Sequence, residues 1–222
     1  MEYTPGEILI AVAHPSEEEA VRKALSAARG SFEITVTGVG GAAMSWALQK
    51  RFSVRSMPEM VIGAGIAGSY VPSLTPGDVV LTRSDCFADM GIDDNGDFRS
   101  LFGANLADPD LPPFSGGRIY CSDELLAMLS GRFRAVTGAT VNMSSGSQAV
   151  IDRIRRAWDP EIETMEGAWL AYACAVNGVP WISVRAVSNM VEPRNFDRWD
   201  IPLALSRLQE AMAQLADSII KR

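Results

Sequence analysis

The chain has 222 residues, 47% hydrophobic and 21% charged, an ordinary globular composition that excludes wholesale disorder. It is long enough to enclose a core without disulfide or metal staples, and its formal net charge of −7 argues against a nucleic-acid polymer or an anionic membrane as partner. One His, His14, and the scattered Cys86, Cys121 and Cys174 give no zinc-ligand spacing and read as reduced, buried thiols of a cytoplasmic protein.

Residues 8–13 form an uninterrupted apolar run, as in a strand buried on both faces. The run is too short to span a bilayer, and no basic n-region precedes it, so a soluble, unexported chain is expected. Ser16, ahead of Glu17, Glu18 and Glu19, is placed as the N-cap of a helix with an acidic first turn. Ala20, Val21, Ala24, Leu25 and Ala28 carry that helix until Gly30. Residues 32–37 read as a strand, and Gly38-Val39-Gly40-Gly41 turns into a helix bearing Ala43, Trp46, Ala47 and Leu48. Residues 60–62 are the next strand, followed by a glycine-rich loop at 63–68 and a strand at 79–82. The stretch 89–117, rich in Gly, Pro, Asp and Asn, is expected to be a long surface excursion. Helices at 123–129, 148–157, 166–176 and 203–220 alternate with strands at 133–138, near Ile162 and at 179–187. That alternation predicts the α/β class around a largely parallel sheet. No linker or repeat divides residues 1–222, which are read as one domain.

Gly63-Ala64-Gly65-Ile66-Ala67-Gly68 matches a dinucleotide-binding GxGxxG by letter. In such a site the third glycine sits inside a helix that holds the pyrophosphate. Pro72 and Pro76 follow almost at once and disfavour that helix. The segment is therefore expected to lie against a ligand as plain backbone, without nicotinamide or flavin.

Four segments carry a resemblance. They are Val61-Ile62-Gly63-Ala64-Gly65-Ile66-Ala67-Gly68, Pro76-Gly77-Asp78-Val79-Val80, Glu163-Thr164-Met165-Glu166-Gly167-Ala168 and Val184-Arg185-Ala186-Val187-Ser188-Asn189. In order and spacing they resemble the nucleoside phosphorylase and nucleoside hydrolase superfamily, and within it the methylthioadenosine/S-adenosylhomocysteine nucleosidases. Pro193-Arg194-Asn195, Trp199-Asp200-Ile201, Ala13-His14-Pro15-Ser16-Glu17 and Thr140-Val141-Asn142-Met143-Ser144 make the details most similar to the futalosine hydrolase family of menaquinone biosynthesis. The resemblance implies a nucleoside phosphorylase-like fold, a three-layer α/β sandwich whose mixed, largely parallel sheet is flanked by helices. It implies an N-ribosyl hydrolase with no cofactor and no metal, a small-molecule nucleoside as partner, and a homodimer or higher homo-oligomer. In that family water converts futalosine to hypoxanthine and dehypoxanthine futalosine.

Cleaving a purine N-glycosidic bond requires a grip on the ribose, a nucleophile at C1′ and a way to take up charge on the base. By resemblance Glu166 grips the ribose hydroxyls, and a carboxylate is able to accept two such bonds at once. Met165, Ile66, Ala67 and Gly68 are expected beside the ribose. Glu17 matches the Glu that orients water, with Glu18 and Glu19 left open by register, and His14 is a secondary candidate for ligand contact. Asn189 stands where adenine-specific nucleosidases carry Asp. An amide donates to N7 or O6 and accepts from a ring N–H, which suits a 6-oxopurine. Backbone at Val141 and Asn142 is expected to frame the base, and Phe87 is open between base stacking and core. The benzoate of futalosine invites Arg194, Arg198 or Arg83. A phosphorylase would need an anion site at C1′, where Glu17 repels phosphate. A nucleoside-binding protein would need no Glu17.

Overall fold

A computed structural model describes residues 7–28 and 30–220. The N-terminal expectation drawn from residues 1–6 lies outside the described residues. In chain order the strands are β1 (Ile8–Val12), β2 (Phe32–Val36), β3 (Met60–Ser69), β4 (Val79–Asp85), β5 (Gly91–Asp94), β6 (Asp97–Ser100), β7 (Ile119–Tyr120), β8 (Arg134–Thr140), β9 (Ile162–Thr164) and β10 (Trp181–Met190). The helices are α1 (Pro15–Leu25), α2 (Gly41–Val54), α3 (Asp123–Leu129), α4 (Gln148–Trp158), α5 (Gly167–Val176) and α6 (Ile201–Ile220).

The α/β class holds, and the main sheet is mixed. β2, β1, β3 and β10 run parallel in that order. β4 joins β10 antiparallel, β8 and β9 follow in parallel, and β9 returns antiparallel to β3. β3 therefore borders three strands, and its far end meets β9 and β10 at once.

Period-two alternation explains the apolar run at the start of the chain. Ile8, Ile10 and Val12 enter one apolar cluster with residues of α3 and α6, while Leu9 and Ala11 enter another with residues of α2 and α5. Both sides are dry, so β1 has no polar face. Each such aliphatic side chain contributes roughly 1.5–3 kcal/mol by leaving water. In α6 the stripe Ala204, Leu208, Ala211, Leu215 and Ile219 is buried in the first cluster at helical spacing.

Three local expectations are corrected. Residues 63–68 are not a loop: β3 runs unbroken from Met60 to Ser69. Glycine is used there because neighbours occupy the space of a side chain. A Cβ on Gly63 would lie 2.9 Å from Ser183 Oγ, and one on Gly68 would lie 2.8 Å from Val191 Cγ2. The excursion at 89–117 contains a hairpin of β5 and β6. Its turn is Asn95-Gly96, both at positive φ (55° and 95°), the two-residue turn that matches strand twist. The first helix is capped by His14 instead of Ser16, with Pro15 opening it, and it ends at Leu25 before Gly30 is reached.

Candidate active site

The cap of α1 creates the first functional group. Glu17 is the third helical residue, and its side chain folds back over the N-terminus in a capping box. Its Oε2 accepts from the N–H of Ala13 (2.9 Å) and of His14 (3.0 Å). Its Oε1 accepts from the N–H of Ile66 on β3 (3.0 Å). The carboxylate is 5% exposed and faces the cleft. Of the three glutamates, Glu17 lines the cleft. Glu18 and Glu19 form ion pairs with Arg22 and Lys23 on the outer face of α1.

Glu166 stands at the N-cap of α5, buried, where its Oε1 accepts from the N–H of Gly40 at 2.7 Å. Burial pushes its carboxyl above the usual carboxylate range; the Arg185 guanidinium and the Gly40 N–H oppose that rise, and the charge of Glu17 adds to it. Arg185 is 3% exposed and is anchored through Nε to Ser183 Oγ (2.9 Å). It shares the space over Gly65 with Glu17, where a Cβ would sit 2.6 Å from Arg185 Nη1 and 2.6 Å from Glu17 Oε1. Two carboxylates within each other's field, with one guanidinium beside them, form a site able to polarise water and stabilise a cation.

Asn189 follows a bulge. β10 pairs Val187 with Ala67 and then Asn189 with Gly68, leaving Ser188 as the extra residue. A bulge re-aims the next side chain. Asn189 Nδ2 donates to the Met190 carbonyl (3.0 Å), and its Oδ1 accepts from Ser188 Oγ (2.8 Å). A carbonyl only accepts, so Met190 fixes which end of the amide is the donor. That Nδ2 lies 3.1 Å from the place of a Cβ on Gly68.

Glu17, Glu166 and Asn189 line one cleft of about 360 Å³, together with His14, Ile66, Ala67, Gly68, Met165 and Trp199, while Arg185 is buried beside it. β3 acts as its ruler. The Glu17 carboxylate meets it at Gly65 and Ile66, and the Asn189 amide meets it at Gly68. At about 3.3 Å per strand residue the two ends are roughly 7–10 Å apart, about the length of a nucleoside core.

The structure corrects other expectations. Val141 is fully buried in a core cluster with Tyr70 and Cys86, and exposed Asn142 is tied to Asp89. Neither lines the cleft, whereas Ser144 of the same segment does. Phe87 packs edge-on to Trp169, 4.7 Å between ring centres, within the core. Arg83 is exposed on β4 away from the cleft, and Arg198 pairs with Glu192 on the surface. Arg194 alone of the three arginine candidates reaches the rim. It donates to the Ser144 carbonyl (2.9 Å), and its guanidinium lies over Trp199.

Sequence reasoning missed Arg185 and Glu163 as site residues. For Arg185 the available signal was a charge within the largely apolar β10, which burial tolerates only with partners. Glu163 lines the cleft and is 6% exposed.

The mixed sheet thus carries one cleft with a capping-box carboxylate on one side and a bulged amide on the other. The chain belongs to the phosphorylase superfamily, whose family model matches residues 8–221. It is similar to the futalosine hydrolase of Acidothermus cellulolyticus, 32% identical over 209 residues, spanning 91% of this chain and 80% of that protein. It is also similar to the futalosine hydrolase of Streptomyces coelicolor, 31% identical over 159 residues, spanning 71% of this chain and 65% of that protein, just under two thirds. The fold matches a crystal structure of 5′-methylthioadenosine/S-adenosylhomocysteine nucleosidase from Helicobacter pylori, with a TM-score of 0.79 at 16% identity over 97% of this chain and 99% of that one. At that identity the likeness concerns the fold.

Proposed function

We propose that this chain hydrolyses the N-glycosidic bond of futalosine, giving hypoxanthine and dehypoxanthine futalosine, a step of menaquinone biosynthesis. The observation that carries the proposal is the cleft with carboxylates at one end and an amide donor at the other. Glu17 takes the proton of a water that attacks C1′. Glu166 accepts the ribose hydroxyls, and its charge offsets the developing oxocarbenium ion, while the nearby Arg185 guanidinium favours its ionised form. Asn189 donates to N7 or O6 of the departing 6-oxopurine. Met165, Ile66 and Ala67 form the apolar wall along the ribose.

Water is favoured over phosphate because Glu17 and Glu166 both border the C1′ end, where a phosphate dianion would be repelled. The proposal includes a single-domain, cytoplasmic enzyme without cofactor that assembles as a homodimer or larger homo-oligomer, which light scattering tests. Among the described residues no helix is long and apolar enough to cross a membrane.

The test incubates the protein with futalosine, inosine and methylthioadenosine, with and without phosphate, and follows base release. Hypoxanthine from futalosine, independent of phosphate, is expected. Phosphate dependence would move the chain to the phosphorylases, and preferential release of adenine would move it to the methylthioadenosine type.

A further inference from the structure

Glu166 occupies the N-cap of α5, yet its side chain makes no bond to the helix that it opens. The first N–H groups of a helix have no partner within it, and the N-cap side chain ordinarily takes one of them. Here two threonines take them. Thr164 Oγ1 accepts from the N–H of Gly167 (3.1 Å), and Thr140 Oγ1 accepts from the N–H of Ala168 (2.7 Å). We propose that Thr140 is a positioning residue for Glu166: by capping α5 in its place, Thr140 leaves the Glu166 carboxylate to the cleft and the ribose. The inference rests on the hydrolase reading above and deepens it.

Sheet register builds this cap. β8 ends at Thr140 and β9 at Thr164, and parallel pairing sets the two residues side by side. Paired residues on neighbouring strands project to the same face, and the two hydroxyl oxygens lie 3.3 Å apart. Asp85 then fixes where the protons point. Its Oδ1 accepts from the Cys86 N–H (2.8 Å) and from Thr140 Oγ1 (2.9 Å). A hydroxyl has one proton and two lone pairs. With its proton committed to Asp85, Thr140 faces Ala168 and Thr164 as an acceptor, so Thr164 is the donor between the two hydroxyls. Each threonine therefore turns a lone pair to the start of α5.

Asp85 and Thr140 are each 1% exposed. A Cβ on Gly167 would run into Asp85 Oδ2, so α5 begins directly on this group, where a negative charge suits a helix N-terminus. The carboxylate of Glu166 is held from another side, by the Gly40 N–H on its Oε1 (2.7 Å), and it lines the cleft. Without the Thr140 hydroxyl, the Ala168 N–H is buried with no acceptor. A buried donor is costly to leave unpaired, and the neighbouring Glu166 carboxylate is the charged acceptor at hand. Turning to its own helix would take that carboxylate off Gly40 and off the ribose.

The test compares wild type with Thr140→Val, which keeps the branched shape and drops the hydroxyl, and with Thr140→Ser, which keeps the hydroxyl. Hydrolysis of futalosine and of its 2′-deoxy counterpart is followed, together with calorimetric binding of hypoxanthine, which has no ribose. In Thr140→Val turnover of futalosine is expected to fall about 100-fold, the cost of a small misplacement of a positioned group, with hypoxanthine affinity unchanged. Its preference for futalosine over the 2′-deoxy substrate is expected to shrink about tenfold, the worth of a hydrogen bond to a charged group. Thr140→Ser is expected to restore both. Thr140→Val that matches Thr140→Ser, or that loses hypoxanthine affinity as steeply as turnover, overturns the positioning role and leaves the hydrolase reading standing. Amide hydrogen exchange on wild type needs no variant to fold. The Ala168 amide is expected to exchange as slowly as that of Leu170, which bonds the Glu166 carbonyl within the helix, and a freely exchanging Ala168 overturns the cap. Wild type that releases no hypoxanthine from futalosine overturns both readings.

Discussion

Glu17 and Arg185 share the space above a residue that has no side chain. A Cβ on Gly65 would fall 2.6 Å from the carboxylate of the one and 2.6 Å from the guanidinium of the other. Neither is free to swing aside. Glu17 is held by the N–H groups of Ala13, His14 and Ile66, and Arg185 by Ser183. A glycine at this strand position is therefore what lets the two side chains close over β3.

Gly65→Ala is expected to reduce turnover about 100-fold while costing about 1–3 kcal/mol of stability, the range for overpacking a buried site. Turnover and the thermal midpoint, measured on the same preparation, check it. Activity near wild type with a lowered midpoint would show that the pair tolerates displacement.

Glu17→Gln keeps the shape and removes the base. Its single carbonyl oxygen serves either the Ala13 and His14 pair or Ile66, so one buried N–H faces an amide donor. Turnover is expected to fall about 10²–10⁴-fold, the usual worth of a general base, while hypoxanthine affinity changes much less. A loss of affinity that matches the loss of turnover would make Glu17 a structural cap only.

Asn189→Asp places a carboxylate beside the Met190 carbonyl and removes the donor from the cleft. Release of hypoxanthine is expected to fall about 100-fold, and the ratio of adenine to hypoxanthine release from matched nucleosides is expected to rise. An unchanged ratio would remove position 189 from base recognition.

Arg194 spans Ser144 and Trp199 at the rim. If it meets the benzoate of futalosine, Arg194→Ala raises KM for futalosine about tenfold more than KM for inosine, the worth of one exposed charged hydrogen bond. An equal rise for both substrates would confine Arg194 to bracing Ser144.

Asp85 lies wholly buried behind the start of α5 and accepts through Oδ1 from Cys86 N–H and Thr140 Oγ1, while Oδ2 has no protein partner. Burial pushes its carboxyl from 3.8 up to about 6, against the pull of those donors and of Arg185 and Arg118. The folded state thus holds the proton more tightly than the unfolded chain does. Stability contributed by this group falls as pH rises from about 4 to 6 and is level above that. Asp85→Asn is therefore expected to be more stable than wild type at pH 7.5, by at most about 3 kcal/mol, with the gap closing near pH 4. Urea midpoints across that range check it, and a gap independent of pH would mean that Asp85 does not titrate there.

The elements were largely legible because they rest on local patterns. The dry run of β1, the acidic first turn of α1 and the apolar stripe of α6 each follow from side-chain periodicity over a few residues. Glu17, Glu166 and Asn189 were legible through their motifs, and the cleft gathers all three. What misled was context. Glycines at 63, 65 and 68 look like a loop in one dimension, and only the crowding by Ser183, Arg185, Glu17 and Val191 makes them a strand. Val141 is buried in the core, and Ser144 of the same segment lines the cleft, because the two differ by which way the chain turns them.

The sequence by itself determined the α/β alternation, the helix start that carries Glu17 and the amide at 189, since each depends on neighbours within a turn or a strand. Tertiary structure alone decided that Arg185 and Glu17 close over Gly65 and that Glu163 and Asn189 share Gly68. It also decided which of three arginines reaches the rim. Those relations join strands far apart in the chain, and they are fixed by sheet register and by the cost of leaving buried charge unpaired, which no local pattern records.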